Sequence, residues 1–383
     1  MGRRAALAAA GLLVLVVAAV LLLTGDDDLK PATGPHAIPA SIAADCSRDV
    51  QAELSAFIAS VPAGATVRFP SGGCYAQGDS IAVRDKSRLT IDGNGSTFRS
   101  SFENTAKRGA HPNWLILRGR DVRITDMKVV GNFHLGGTRS QQRVNQVSSE
   151  GEAGATSQPN AGIGIYGGDG VHVTDLDVRD VFGDGVLTGV TEYVDPSKAS
   201  ETPRDVHVER VTTTKAARHC FSPNQVIGFW LEDSVGRDCW YGALDAELDD
   251  PAQKLQDVHL LRNTFSDFNL LGIFVPVAGD GDNTRDIEIR GNRFLTPPDQ
   301  PCNTIIEVGV YPENPRTFKN VVVEDNEMHT GGVAVSFDHV EGGSIKGNRV
   351  AYKDIGCEET TDATPFVRVT RSQGVSVGAN PRR

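Results

Sequence analysis

From residue 89 onward, apolar and polar positions alternate over short stretches, the period of strands with one face buried. Ten stretches share one pattern: an apolar or small residue, any residue, an apolar residue, two variable residues and then a fixed position. They begin at Leu89, Val122, Val171, Val206, Phe229, Val258, Ile287, Val321, Gly343 and Val375. The fixed position, five residues on, holds Asn94, Asn263, Asn292, Asn326, Asn348 and Asn380; the other copies carry Met127, Leu176, Val211 and Ser234. The intervals of 33, 49, 35, 23, 29, 29, 34, 22 and 32 residues are too irregular for ankyrin- or propeller-type repeats. They suit a parallel β-helix, whose strands must stack about 4.8 Å apart while the connecting loops grow freely. Asparagine tolerates the left-handed conformation of a bend, and stacked amides hydrogen-bond along the pile. The pattern therefore predicts an asparagine ladder beside a continuous apolar core.

Helical periodicity is confined to two places. Val50, Leu54, Phe57 and Ile58 put an apolar stripe on a helix over Ser47–Ser60. Ahead of it, Arg3 and Arg4 precede a run of 19 small and apolar residues, Ala5 to Leu23, and Asp26–Asp28 follow. At 1.5 Å per residue that run spans about 28 Å, enough for a bilayer core, with the arginines held inside. The expectation is a signal-anchor over 1–24, with cleavage and release as the alternative. A Pro-, Ala- and Gly-rich linker over 25–45 then leads to a single domain over 46–383.

Composition narrows the partners. Lys+Arg 38 against Asp+Glu 49 gives a net charge of −11, which argues against nucleic acid. Contact with a membrane is expected through the N-terminal helix only, and the domain is expected to be a monomer on the extracellular face, anchored or secreted. The six cysteines form no CxxC or Cys/His zinc pattern, and an even count in an exported chain favours disulfides. Chain order suggests Cys46–Cys74, Cys220–Cys239 and Cys302–Cys357, one of about fifteen pairings.

Ala63-Gly-Ala-Thr-Val-Arg-Phe-Pro-Ser-Gly-Gly-Cys-Tyr75 and Leu89-Thr-Ile-Asp-Gly-Asn-Gly95 carry a family likeness. With the repeats over 47–380, they resemble the pectin-lyase-like superfamily of right-handed parallel β-helices. There, a capping helix leads into a strand, a Pro-Ser/Ala-Gly-x-Tyr turn and the first coils; this chain has one extra residue before Tyr75. Asp238–Glu247 and Ala217–Ser222 resemble a bacterial subgroup of secreted β-helix proteins. The resemblance implies an all-β, single-stranded β-helix with an N-terminal capping helix. It leaves activity open, because the superfamily holds lyases, hydrolases, epimerases and non-catalytic binders.

Aligned on the fixed position, Val186, Phe221, Leu244 and Ile273 fall in one inward row. Leu187, Ser222, Asp245 and Phe274 then point outward, followed by Gly189, Asn224, Glu247 and Pro276. Leu244–Asp249 alternates apolar and acidic residues, which predicts Asp245, Glu247 and Asp249 on one solvent face. On a strand, residues two apart lie about 6.5–7 Å apart, compatible with an inverting glycosidase pair. A plain solvated acidic face is the alternative.

Asp184 and His219 take the same aligned position on adjacent coils, so the carboxylate can orient the imidazole for acid/base work. Arg218 can neutralise a uronate carboxylate. The plainer alternative is that Gly183-Asp184-Gly185 makes a turn while Arg218 and His219 fill a corner. Trp230, Trp240, Tyr241 and Phe274 cluster nearby as candidate sugar-stacking rings, with Asn224 as a substrate contact. The insertions 131–160, with His134, Arg139 and Arg143, and 188–203, with Glu192 and Tyr193, are candidate groove walls. The acidic loop 279–283 lacks the glycine and closing Glu of a calcium loop, so no cofactor is expected and calcium alone stays open.

The expected function is action on a polysaccharide or cell-wall glycan, as a lyase or glycoside hydrolase. Asp245 and Glu247 would be the acid/base groups, assisted by His219, Asp184 and Arg218. The alternatives are a non-catalytic glycan-binding or cell-envelope adhesion protein, and a uronate C5-epimerase. The paired Asp-Asp and Arg-x-Lys of polygalacturonase-like hydrolases are absent, as is a pectate-lyase-like motif.

Overall fold

The computed structural model describes residues 34–101, 112–133, 160–268, 271–295, 304–309, 316–352 and 366–381. The apolar run 5–23, Cys302, Cys357 and most of the 131–160 insertion lie outside the described residues. Among the described residues, no helix is long and apolar enough to cross a membrane.

Every described strand pairing is parallel, in one sheet of twenty strands and one of ten, and each strand pairs with its counterpart one coil away. This is a parallel β-helix. The repeat is its register. Val122 pairs with Val171, then Val206, Phe229, Val258, Ile287, Val321 and Gly343 in succession. Thr90↔Arg123 and Ser344↔Ser376 extend the same register by one coil at each end. Valine, isoleucine, leucine and phenylalanine from each coil fill one continuous core, and the β-branched residues among them favour the pleat.

The corners show where the sequence reading needs correction. Asn94 takes the left-handed conformation, with φ 48°, but at Asn263, Asn292, Asn326 and Asn348 the residue before the asparagine takes it instead. Asp126, Asp175, Arg210, Asp233, Arg262, Gly291, Asp325 and Gly347 have φ between 48° and 70°. Where asparagine follows such a turn, at Asn263, Asn292, Asn326 and Asn348, it holds the coils together. Asn263 Nδ2 donates to Asn292 Oδ1 at 3.0 Å and to the Leu231 carbonyl at 2.8 Å, and the pattern repeats through Asn292, Asn326 and Asn348 to Asn380. Asn94 stands outside this ladder, because the register shifts between Asp92 and Ser96 and sets Ser96 against Met127.

At the N-terminal end, the helix runs over Gln51–Ser60, buries Leu54 and Ile58, and packs on the strand Ile81–Arg84. Residues 47–49, read as its first turn, belong to the strand Asp45–Asp49, which pairs with Cys74–Gln77. The expected linker is docked in part: His36–Ala37 pairs with Val67–Arg68, and Ile38 and Ile42 are buried. The disulfides Cys46–Cys74 and Cys220–Cys239 are formed.

Candidate functional site

The site lies on the outer side of the ten-stranded sheet. Val186↔Phe221, Phe221↔Leu244 and Leu244↔Ile273 are paired and buried, which is the inward row read from the sequence. Their outward neighbours form the row Leu187, Ser222, Asp245 and Phe274.

Asp245 is not on a solvent face. The strand Gly242–Asp245 stops at it, and the carboxyl is only 2% exposed. Corner residues of the coil before close over it, with Arg218 Nη2 at 3.9 Å and His219 Nδ1 at 3.7 Å from Asp245 Oδ2. Behind them, the fully buried Asp184 accepts the His219 backbone N–H at 3.0 Å and stands 3.5 Å from Arg218 Nη1. Asp184 Oδ1 lies 3.4 Å from His219 Nδ1. Asp184, Arg218, His219 and Asp245 thus form one buried, charged group across three coils.

The exposure predicted for the three acids is graded instead: Asp245 buried, Glu247 half-buried, Asp249 exposed. Beyond Asp245 the chain leaves the sheet, and the Glu247 N–H donates to Asn224 Oδ1 at 3.0 Å. Asp249 accepts from Tyr193 Oη and from Gln225 Nε2. Tyr193, on the short turn Thr191–Tyr193, ties the 188–203 insertion to this rim.

The electrostatics separate the carboxyls. Burial would raise Asp184, yet Arg218 and His219 outweigh it and hold Asp184 below its ordinary value. Burial pushes Asp245 upward against the same two cations. Glu247 is pushed up to about 7 by burial and by the neighbouring Asp245 and Asp249. Three buried polar atoms meet here without a hydrogen-bond partner: Asp245 Oδ1, His219 Nδ1 and Ser222 Oγ. Such atoms are uncommon in a folded interior.

The aromatic residues divide. Tyr241 stacks on His219 with centroids 5.7 Å apart, and half-buried Phe274 pairs with Asp245 one coil on. Trp240 is buried, at 8% exposure. Trp230 is elsewhere: on the twenty-stranded sheet its ring sits between His207 and His259, with His172 beyond, at centroid spacings of 4.4, 5.4 and 4.6 Å. Its faces are occupied, so it is no sugar platform. Residues 227–231 belong to the repeat strand, whereas the site strand follows the next corner; closeness in sequence had hidden that.

Sequence reasoning left Ser222 and Gln225 out of the site. The alignment row that gave Asp245 already contained Ser222. The acids of the 279–283 loop have cationic partners, Asp280 with Arg316 and Asp282 with Lys319. Among the described residues, no group of three or more His, Cys, Asp or Glu is disposed to hold a metal ion.

No family model and no curated protein matches this chain. Solved structures similar to it include a protein of Geobacillus virus E2, at 13% identity and TM-score 0.48, covering 87% of this chain and 60% of that one. The A-module of a mannuronan C-5 epimerase from Azotobacter vinelandii has 12% identity and TM-score 0.47, covering 89% and 95%. An endo-xylogalacturonan hydrolase from Aspergillus tubingensis has 10% identity and TM-score 0.46, covering 91% and 96%. The chain spans less than two thirds of the length of the viral protein, and the likenesses concern the fold alone.

Proposed function

We propose that this protein is a carbohydrate-active enzyme that cleaves a polysaccharide with Asp245 and Glu247 as its acid/base pair. The observation that carries the reading is Asp245 itself. Its carboxyl is buried, faces Arg218 and His219, keeps one oxygen without a partner, and lies two residues from a second carboxyl raised to about 7. Burial raises both carboxyls, so each keeps its proton to a higher pH than a free side chain. Glu247, half-buried at the rim and half-protonated near neutrality, is suited to protonate a leaving glycosidic oxygen. Arg218 and His219 oppose the effect of burial on Asp245, whose deprotonated form is suited to activate water or attack the anomeric carbon. Asp184 orients His219 and balances Arg218. Tyr241 and Phe274 flank the site as ring faces, and Asn224 fixes the backbone of Glu247. The two disulfides fit an oxidising compartment outside the cytoplasm.

The test is a panel of neutral and acidic polysaccharides, read for new reducing ends and for ultraviolet absorbance from an unsaturated sugar. Reducing ends without absorbance identify a hydrolase, and absorbance identifies a lyase. Binding without either product would overturn the enzyme reading in favour of an envelope glycan binder.

A further inference from the structure

We propose that the sugar unit seated over Asp245 is uncharged, so the site takes a neutral polysaccharide and not a polyuronate. This rests on the glycan reading above and specifies its substrate class.

The argument begins with Arg218. A uronate clamp presents its guanidinium to the ligand, yet this side chain is mostly buried and turned to two carboxyls of its own chain. Nη1 lies 3.5 Å from Asp184 Oδ2, and Nη2 lies 3.9 Å from Asp245 Oδ2. Its charge is answered inside the protein, and it acts as a positioning residue for Asp245. The cations acting on Asp245 and Glu247 are Arg218 and His219, against the acids Asp184, Asp245, Glu247 and Asp249.

The outward row points the same way. From Asp245 it runs through Phe274, Glu307 and Ser336 to Arg368. The next basic side chain along it is therefore four coils away, about 19 Å at the usual strand spacing. In the other direction the row holds Ser222, Leu187, Gly164 and Leu115. Among the described residues, then, the surroundings of Asp245 offer a ligand carboxylate like charges and no uncommitted cation. Like charges brought together in a partly desolvated site oppose binding.

What the site does offer suits hydroxyls. The half-buried Glu247 carboxyl at the rim can donate or accept. Phe274 adds a ring face for the apolar side of a sugar.

The experiment compares matched polymers that differ only in charge: several polyuronates, each beside its carboxyl-reduced neutral form. Each is assayed with the wild-type protein for binding and product, at low and moderate salt. The neutral member of a pair is expected to be preferred by about tenfold or more at low salt, the gap narrowing as salt rises. Preference for the charged member at both salt levels overturns the charge assignment and leaves the glycan reading standing. Recognition of no polymer overturns both. In Arg218→Gln, a lost preference for neutral polymer with a shifted pH profile supports the positioning role. Selective loss of uronate recognition, with neutral polymer unaffected, would show that Arg218 is a clamp.

Discussion

Two buried polar columns run through the same coils and differ in one respect. In the asparagine column each internal amide donates to a main-chain carbonyl and to the next amide, while its oxygen accepts from the coil before. In the column of Asp184, His219, Ser222 and Asp245, charges are paired loosely at 3.4–3.9 Å, and three atoms have no hydrogen bond. A saturated polar column contributes to stability, since each buried group has its partner. An unsaturated one sacrifices stability and keeps bonding capacity for something outside the chain. The same fold thus carries a saturated polar column on one corner and an unsaturated one on another.

Four perturbations test that contrast. The largest effect is expected from Asp245→Asn. Activity on the glycan should fall by about a hundred- to ten-thousandfold, while the melting temperature holds or rises, because a strained buried acid is removed. A large loss of melting temperature would show that the acid column is structural.

Asn326→Ala should do the reverse. Removing this amide takes the shared acceptor from the Asn292 N–H and Nδ2 and the donor from the Ile289 carbonyl, and should cost on the order of 2–4 kcal/mol in unfolding free energy. Activity per folded molecule should persist. Denaturant titration with activity on the folded fraction reads both quantities.

Glu247 gives a pH signature. Its carboxyl sits near 7 in the fold against 4.5 for the free side chain, so the folded state favours the protonated form. The stability it contributes is complete below pH 4.5 and is lost as the pH rises through 7. Thermal melts across that window should show this decline in wild type and a flatter profile in Glu247→Gln. A wild-type profile no steeper than the variant's would remove the assigned shift.

The smallest effect is expected at Trp230→Ala. It breaks the ring stack on the far sheet, so it should lower stability while leaving polysaccharide binding within about twofold, each stacked pair contributing roughly 0.5–1.5 kcal/mol beyond burial. A collapse of binding would place the glycan on the twenty-stranded sheet.

The fold was legible because a β-helix writes its register into the chain. Counting from Val122 in steps as unequal as 49 and 22 residues still lands on paired residues, since every coil must return its strand to the same place. The rule failed at Asn94, where a local register shift inserts residues that no period reveals. Asp245, Glu247, His219, Asp184, Arg218, Asn224, Tyr241 and Phe274 fall together because the alignment that stacks the core also stacks its outward neighbours. Trp230 was misplaced because eleven residues of chain suffice to turn a corner onto another face.

The sequence alone determined the parallel β-helix, the inward rows and the amide ladder, which follow from repetition and spacing along the chain, while the structure selected Cys46–Cys74 and Cys220–Cys239 from the pairings left open. Tertiary structure alone decided that Asp245 is sealed under Arg218 and His219, that Arg218 is held by aspartates, and that Ser222 belongs beside them. Those facts depend on how far each corner side chain reaches over the neighbouring coil. Burial, charge pairing and pKa arise from such distances, which a one-dimensional pattern does not contain.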